Sequence, residues 1–261
     1  MMKPVASISD RRFASLKPAQ PFYGAPVGIL VFERPQAPFI RPFVPGSVGN
    51  ASTWSVPVRY KAVPGLKFDQ LLGPNAEEMT SAVIQAARKL TRDGAQLITS
   101  NCGFMIRYQE AVRAALEVPV LLSSLLLAPF LERMLPRGKA LGIITASAPS
   151  LTQLLLEAAG LSANFDRVVV AGLEHAPSFA SAWITCSDHL DVSAVETETV
   201  EAAVALLADR PDIGMLLLEC SELPPFAAAV QRATGVPVFD FTSMVEFFVS
   251  GLIRKPFNGI Y

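Results

Sequence analysis

Ile213–Pro225 reads IGMLLLECSELPP. Ile213, Met215, Leu216, Leu217 and Leu218 make a short apolar run, the pattern of a parallel strand buried on both faces. The run breaks at Glu219-Cys220-Ser221, and Leu223–Thr234 then has the spacing of a helix. A cysteine at such a junction is delivered to the open edge of a sheet, where the backbone N–H groups of the next helix favour negative charge. Gly94–Leu131 repeats the arrangement. Laid without gaps, Cys102 falls 118 residues before Cys220, and the same offset puts Val118-Pro119-Val120 on Val236-Pro237-Val238 and Ala111-Val112 on Ala229-Val230. Gly28-Ile29-Leu30 matches Gly142-Ile143-Ile144 at the nearby offset of 114. A repeat this long is not a solenoid unit. It predicts an α/β fold of two pseudo-symmetric lobes, each a mainly parallel sheet flanked by helices, with the active site in the inter-lobe cleft.

Bulk properties agree with that class. Hydrophobic residues make up 51% of the 261 and charged residues 17%, a mix suited to sheets covered on both faces. A net charge of −1 gives no reason to expect nucleic acid or an anionic membrane as partner. Three cysteines are too few and too odd in number for a disulfide framework, which fits a reducing compartment. The N-terminal stretch lacks the apolar core of a secretory signal. The most lipid-like run, Val118–Leu131, is broken by Pro119, Ser123, Ser124 and Pro129 and is too short to span a bilayer. The expectation is a soluble, cytoplasmic protein.

In chain order, residues 1–26 read as an arm, 27–123 as the first lobe, 124–240 as the second, and 241–261 as a C-terminal helix and tail packing back toward the first lobe. Strands are expected at Val27–Glu33, Val58–Val63, Leu97–Thr99, Ala140–Thr145, Arg167–Ala171 and Val236–Phe239. Helices are expected at Asn75–Arg92, Leu151–Ala159, Val195–Leu207 and Ser243–Ile253. The proline- and glycine-rich Arg34–Pro57 follows the first strand's carboxyl end and is read as a loop covering the cleft. Ser178–Val192 has no regular period.

Two thiols facing one cleft suit proton transfer at a carbon acid. Removing a proton α to a carboxylate puts further charge on a group that is already anionic, and backbone N–H groups can stabilise that charge. A thiol at a helix N-terminus can be partly ionised near neutral pH. One thiolate takes the proton from one face, the opposite thiol returns one to the other, and the centre inverts without a cofactor. The sulfurs must stand too far apart for a disulfide to leave room for substrate.

Glu219-Cys220-Ser221-Glu222-Leu223-Pro224, with its partner at Cys102, resembles the aspartate/glutamate racemase superfamily, in which hydantoin racemases, maleate isomerases and arylmalonate decarboxylases also fall. The resemblance implies two pseudo-symmetric lobes, Cys102 and Cys220 as the acid/base pair, and Ser221 in place of a carboxylate-binding threonine. It also implies Thr145 and Ser147 in the second lobe's hydroxyl-bearing loop, a small carboxylate as substrate, no cofactor and a homo-oligomer, in the simplest case a dimer. Asn50, Asn101, Gly103 and Glu222 complete the candidate substrate contacts. Two departures bear on substrate choice: Gly103-Phe104 stands where Asn-Thr is usual after the first cysteine, and Glu219 replaces a common glycine.

Plainer readings stand beside these. A cysteine ending an apolar strand is most often a small buried hydrophobe; the constant offset is what singles out Cys102 and Cys220. Cys186 has no counterpart and is read as incidental. Ser147 and Ser150 equally well cap the helix after them, and Glu222 would be favoured in a first helical turn by the dipole alone. His175 and His189 lack partners at metal-ligand spacing. The leading functional reading is a cofactor-independent racemase or epimerase of a small carboxylate such as an amino acid. A cis–trans isomerase or decarboxylase on the same fold is the alternative, and a two-lobe binding protein the reading from another class.

Overall fold

The computed structural model describes residues 22–33, 44–73, 75–161, 167–187 and 189–256. Most of the expected N-terminal arm, the first part of the 34–57 loop and the last residues of the tail therefore lie outside the described residues. Among the described residues eight strands form two four-stranded sheets, every pairing parallel. The first has the order β2-β1-β3-β4, from β1 (Val27–Phe32), β2 (Val58–Val63), β3 (Leu97–Ser100) and β4 (Val120–Leu121). The second repeats it as β6-β5-β7-β8, from β5 (Ala140–Thr145), β6 (Val168–Gly172), β7 (Ile213–Leu218) and β8 (Val238–Phe239). The 118-residue offset superposes β3 on β7 and β4 on β8, so the internal repeat is a repeat of topology.

The α-helices are α1 (Phe68–Leu72), α2 (Thr80–Arg92), α3 (Gln109–Ala115), α4 (Ala128–Met134), α5 (Gln153–Ala158), α6 (Pro177–Phe179), α7 (Val192–Asp209), α8 (Ala227–Thr234) and α9 (Phe241–Leu252). Val83, Ala86, Ala87 and Leu90 form the buried stripe of α2, the spacing that made it readable as a helix. Gly94, at φ 101°, supplies the left-handed residue that turns the chain out of α2 into β3. Gly28 and Gly142 are equivalent positions on the central strands of the two sheets. A Cβ on Gly28 would stand 3.1 Å from Leu90 Cβ on α2, and one on Gly142 would stand 3.2 Å from Leu206 on α7. Each sheet thus lets its long helix approach at one side-chain-free point.

A large core runs without a break through both sheets, from Leu30 and Ile98 to Ile144 and Leu218. A smaller one lies on the other face of the first sheet, where Phe241, Met244, Val245 and Val249 of α9 cover Val27, Ile29 and Leu97. Two expectations were too simple. Residues 178–192 are partly regular, since α6 runs into a π-helical turn at Ala180–Ile184 and α7 begins at Val192. The segments after the two cysteines do not pass straight into helices: 3₁₀ turns at Gly103–Tyr108 and Pro224–Phe226 intervene. Among the described residues no helix is long and apolar enough to cross a membrane, and no cluster of His, Cys, Asp and Glu could hold a metal ion.

Candidate active site

β3 and β7 end side by side at the seam between the sheets, and each releases a cysteine there. Cys102 leaves β3 in an extended conformation and is buried. Ser100, two residues back, fixes it: the Ser100 hydroxyl donates to the Leu122 and Cys102 carbonyls and accepts the Cys102 N–H. Cys220 keeps part of its surface. All three cysteines are free thiols, and Cys102 is close enough to Cys220 to act on its ionisation.

Side-chain bonds across the seam lock the two strand ends together. The Ser221 hydroxyl donates to the Asn101 carbonyl. The Ser124 hydroxyl reaches the carbonyls of Leu218 and Glu219 at 3.2 Å each. Glu219 is fully buried, and its Oε2 accepts from the Thr145 hydroxyl at 2.7 Å. Its Oε1 has no hydrogen-bond partner among the described residues and lies in the space that a side chain at position 103 would fill. The glycine after Cys102 and the glutamate before Cys220 are therefore complementary: one gives up the volume that the other takes.

The electrostatics run against the expectation of an activated thiol at Cys220. Burial raises its pKa most, and the negative charges of Glu219, Glu222 and Cys102 raise it further. The Glu222 backbone amide pulls the other way and is outweighed. With a 3₁₀ turn in place of a helix start, few aligned amides oppose three acidic neighbours. Burial also pushes the Glu219 carboxyl up to about 7, with the Thr145 hydroxyl acting to lower it.

Beside the seam opens a cleft of about 1040 Å³. Asn50, Asn101 and Glu222, three of the candidate substrate contacts, line it. Gly103, Thr145, Ser147 and Ser221 are not on its wall. Their surroundings are internal: Gly103 faces Glu219, Thr145 holds Glu219, Ser147 pairs with Ser150 at 2.8 Å, and Ser221 ties the lobes. Neither cysteine lines the cleft, although their near neighbours Asn101 and Glu222 do. Asn50 also organises the covering loop, with Nδ2 donating to the Val44 carbonyl and Oδ1 accepting from Ser52 N–H.

Sequence reasoning missed most of the wall. Phe32 and Glu33 come from the end of β1, Tyr60 from β2, Trp183 from the π-helical turn and Phe226 from the 3₁₀ turn before α8. Their only signal in the sequence was a position on or near a strand or turn. Charged residues on the wall are Glu33 and Glu222, with no lysine, arginine or histidine among the described lining. The described wall is aromatic and acidic.

Comparison with known proteins places this site in context. The family Asp/Glu/Hydantoin racemase matches residues 70–245. A dimethylsulfoniopropionate lyase of Durusdinium sp. clade D is 32% identical over 222 residues, spanning 83% of this chain and 73% of its own length. Dimethylsulfoniopropionate lyase 7 of Emiliania huxleyi (strain CCMP1516) is 30% identical over 262 residues, spanning 95% of this chain and 75% of its own. A glutamate racemase structure from Bacillus anthracis has a TM-score of 0.57 at 15% identity, covering 88% of this chain and 82% of that one, a likeness of fold.

Proposed function

The chain belongs to the Asp/Glu/hydantoin racemase family, and from that premise we propose that it is a lyase acting on a small carboxylate with a sulfonium group on its β-carbon. The observation that carries this reading is the cleft wall: Glu33 and Glu222 beside Phe32, Tyr60, Trp183 and Phe226, with no basic side chain among them. A sulfonium is a soft, poorly hydrated cation, favoured by aromatic faces and by nearby carboxylates. A second carboxylate on the substrate, as in a dicarboxylic amino acid, would meet repulsion there. The relatives named for dimethylsulfoniopropionate support the same class.

The reaction follows from the substrate's own bonds. A thiolate accepts the proton on the α-carbon, the C–H electron pair becomes the α–β double bond, and the β-carbon–sulfur bond breaks with its electrons leaving on sulfur. The products are an unsaturated carboxylate and a neutral dialkyl sulfide, and the proton on the thiol passes to solvent. Cys102, buried behind Asn101 of the cleft wall, takes the role of base in this reading, which requires the substrate's α-carbon to reach past Asn101. Cys220 is held as a thiol by burial and by its acidic neighbours and transfers no proton in this elimination, because the sulfide leaves neutral. Asn101 Oδ1 accepts the Phe32 N–H at 3.3 Å, which leaves its NH₂ group as the donor for the substrate carboxylate.

A second reading keeps the first step and changes the outcome. Elimination needs one base, whereas inversion needs a proton carrier on each face, and this chain has a cysteine from each lobe at the seam. That favours a racemase or epimerase of a small carboxylate. The two separate in one experiment, incubation of the enzyme in D₂O with dimethylsulfoniopropionate and, separately, with chiral amino acids and hydantoins. The lyase reading expects acrylate and dimethyl sulfide from the first, falling by about 10²–10⁴-fold in Cys102→Ser. Deuterium entering an inverted α-centre with no elimination supports the racemase instead, and silence from all substrates rejects both.

A further inference from the structure

We propose that Glu219 is a positioning residue that governs the proton on Cys220, its carboxyl wedged between the lobes so that its own charge state decides how readily the neighbouring thiol ionises. The geometry has three parts. Glu219 immediately precedes Cys220 and is fully buried. One carboxylate oxygen is pinned by the Thr145 hydroxyl at 2.7 Å, and the other, without a partner among the described residues, fills the space vacated by Gly103 next to Cys102. The Ser124 hydroxyl holds the Glu219 carbonyl at 3.2 Å, so the residue cannot swing away without breaking contacts on both sides of the seam.

A carboxyl in this setting gains little from water and has one hydrogen-bond donor to stabilise its charge, so it stays neutral to a higher pH than an exposed glutamate. The described groups that act on the pair are all neutral or acidic. β5 contributes Thr145, the turn at Gly103 contributes the Cys102 thiol, the 3₁₀ turn Ser124–Leu127 contributes Ser124, and the chain beyond β7 contributes Glu222. With no cation among them, ionising Glu219 places an unscreened negative charge beside Cys220. Below that transition the thiol faces a neutral neighbour, and above it the thiol is held protonated more strongly. The inference rests on the proposed function only in giving Cys220 a proton to hold or move.

The test reads the thiol directly and needs no substrate. Alkylation of Cys220 by iodoacetamide is followed from pH 6 to 10 on the full chain, with each cysteine-containing peptide quantified by mass spectrometry. Glu219→Gln keeps the shape and removes the charge. It should move the Cys220 midpoint down by about one pH unit, seen as about tenfold faster alkylation near pH 8.5. Cys186, far from the seam in sequence and bonded to the Trp183 carbonyl at 3.8 Å, should react at the wild-type rate. Thr145→Val, which removes the donor stabilising the Glu219 charge, should shift Cys220 in the same direction by less.

Cys220 profiles that coincide within twofold in wild type and Glu219→Gln overturn the proposal, as does an equal change at Cys186. Should Glu219→Gln lose the wild-type far-UV spectrum, Thr145→Val decides by the same criterion. A shifted profile in an enzyme that leaves dimethylsulfoniopropionate untouched would sink the lyase reading and leave this inference standing. An active lyase with coincident profiles would do the reverse.

Discussion

A buried carboxyl that stays neutral in the folded chain and ionises in the unfolded one makes stability depend on pH with a definite sign. For Glu219 the folded value is raised from 4.5 to about 7. Below 4.5 both states hold the proton and nothing is lost. Between there and about 7 the unfolded chain releases its proton while the folded protein keeps it, so unfolding becomes easier as pH rises. The loss amounts to about 3 kcal/mol and levels off above neutrality. Urea unfolding of wild type and Glu219→Gln at pH 5 and pH 8 isolates this group, because the other titrations cancel in the difference between the two proteins. The wild type should lose about 2–3 kcal/mol relative to the variant between the two conditions; an unchanged difference would mean that Glu219 is ionised inside the fold. Glu219 was visible in the sequence only as an oddity, a glutamate where glycine is common. Its meaning depends on Gly103, more than a hundred residues away in sequence, and no local pattern links the two.

Among the elements, the strands were easier to read than the turns at their carboxyl ends. β2 and β5 stand at the residues expected, and β5 is buried along its whole length, because an apolar run answers to burial on both faces. The 3₁₀ turns after Cys102 and Cys220 and the π-helical turn at Ala180–Ile184 answer to tertiary contacts, which composition does not encode. The cleft wall joins pieces of β1 and β2, the 44–52 loop and these turns, which lie far apart in sequence, so its aromatic and acidic character was not legible. The start of α9 is a readable case. Asp240 is buried, its carboxylate accepts from Ser243 N–H at 2.9 Å, and the Ser243 hydroxyl closes a reciprocal bond to the Asp240 N–H. Replacing it by alanine leaves the Ser243 N–H and the Thr242 hydroxyl without this acceptor at the helix that covers the first sheet. Asp240→Ala should cost about 1 kcal/mol, lowering the thermal midpoint by about 2–4 °C for a chain of this size. A midpoint within about 1 °C of wild type by far-UV circular dichroism would show that α9 holds its place through its apolar face alone.

At the scale of the whole molecule the duplication predicts two lobes, but not whether they unfold as two. Topology alone would permit independence, since each sheet has its own four strands and its own long helix. Packing argues against it. One continuous core contains Leu30 and Ile98 of the first sheet and Ile144 and Leu218 of the second, and the seam adds the Ser221–Asn101 and Ser124–Glu219 bonds. Opening one lobe would expose the apolar side of the other and strand buried polar groups, so neither intermediate should be populated. The chain carries two tryptophans, and they report on different lobes: Trp54 packs in the smaller core with α9, and Trp183 lies beside the second sheet's helices at the cleft. In Trp183→Phe the remaining fluorescence follows the first lobe, and in Trp54→Phe it follows the second. Within each variant the urea midpoint from fluorescence should coincide with that from far-UV circular dichroism. A fluorescence transition that precedes the loss of helix in either variant would mean that the seam joins two separately stable halves. In that case the cleft at their junction would open before the lobes themselves unfold.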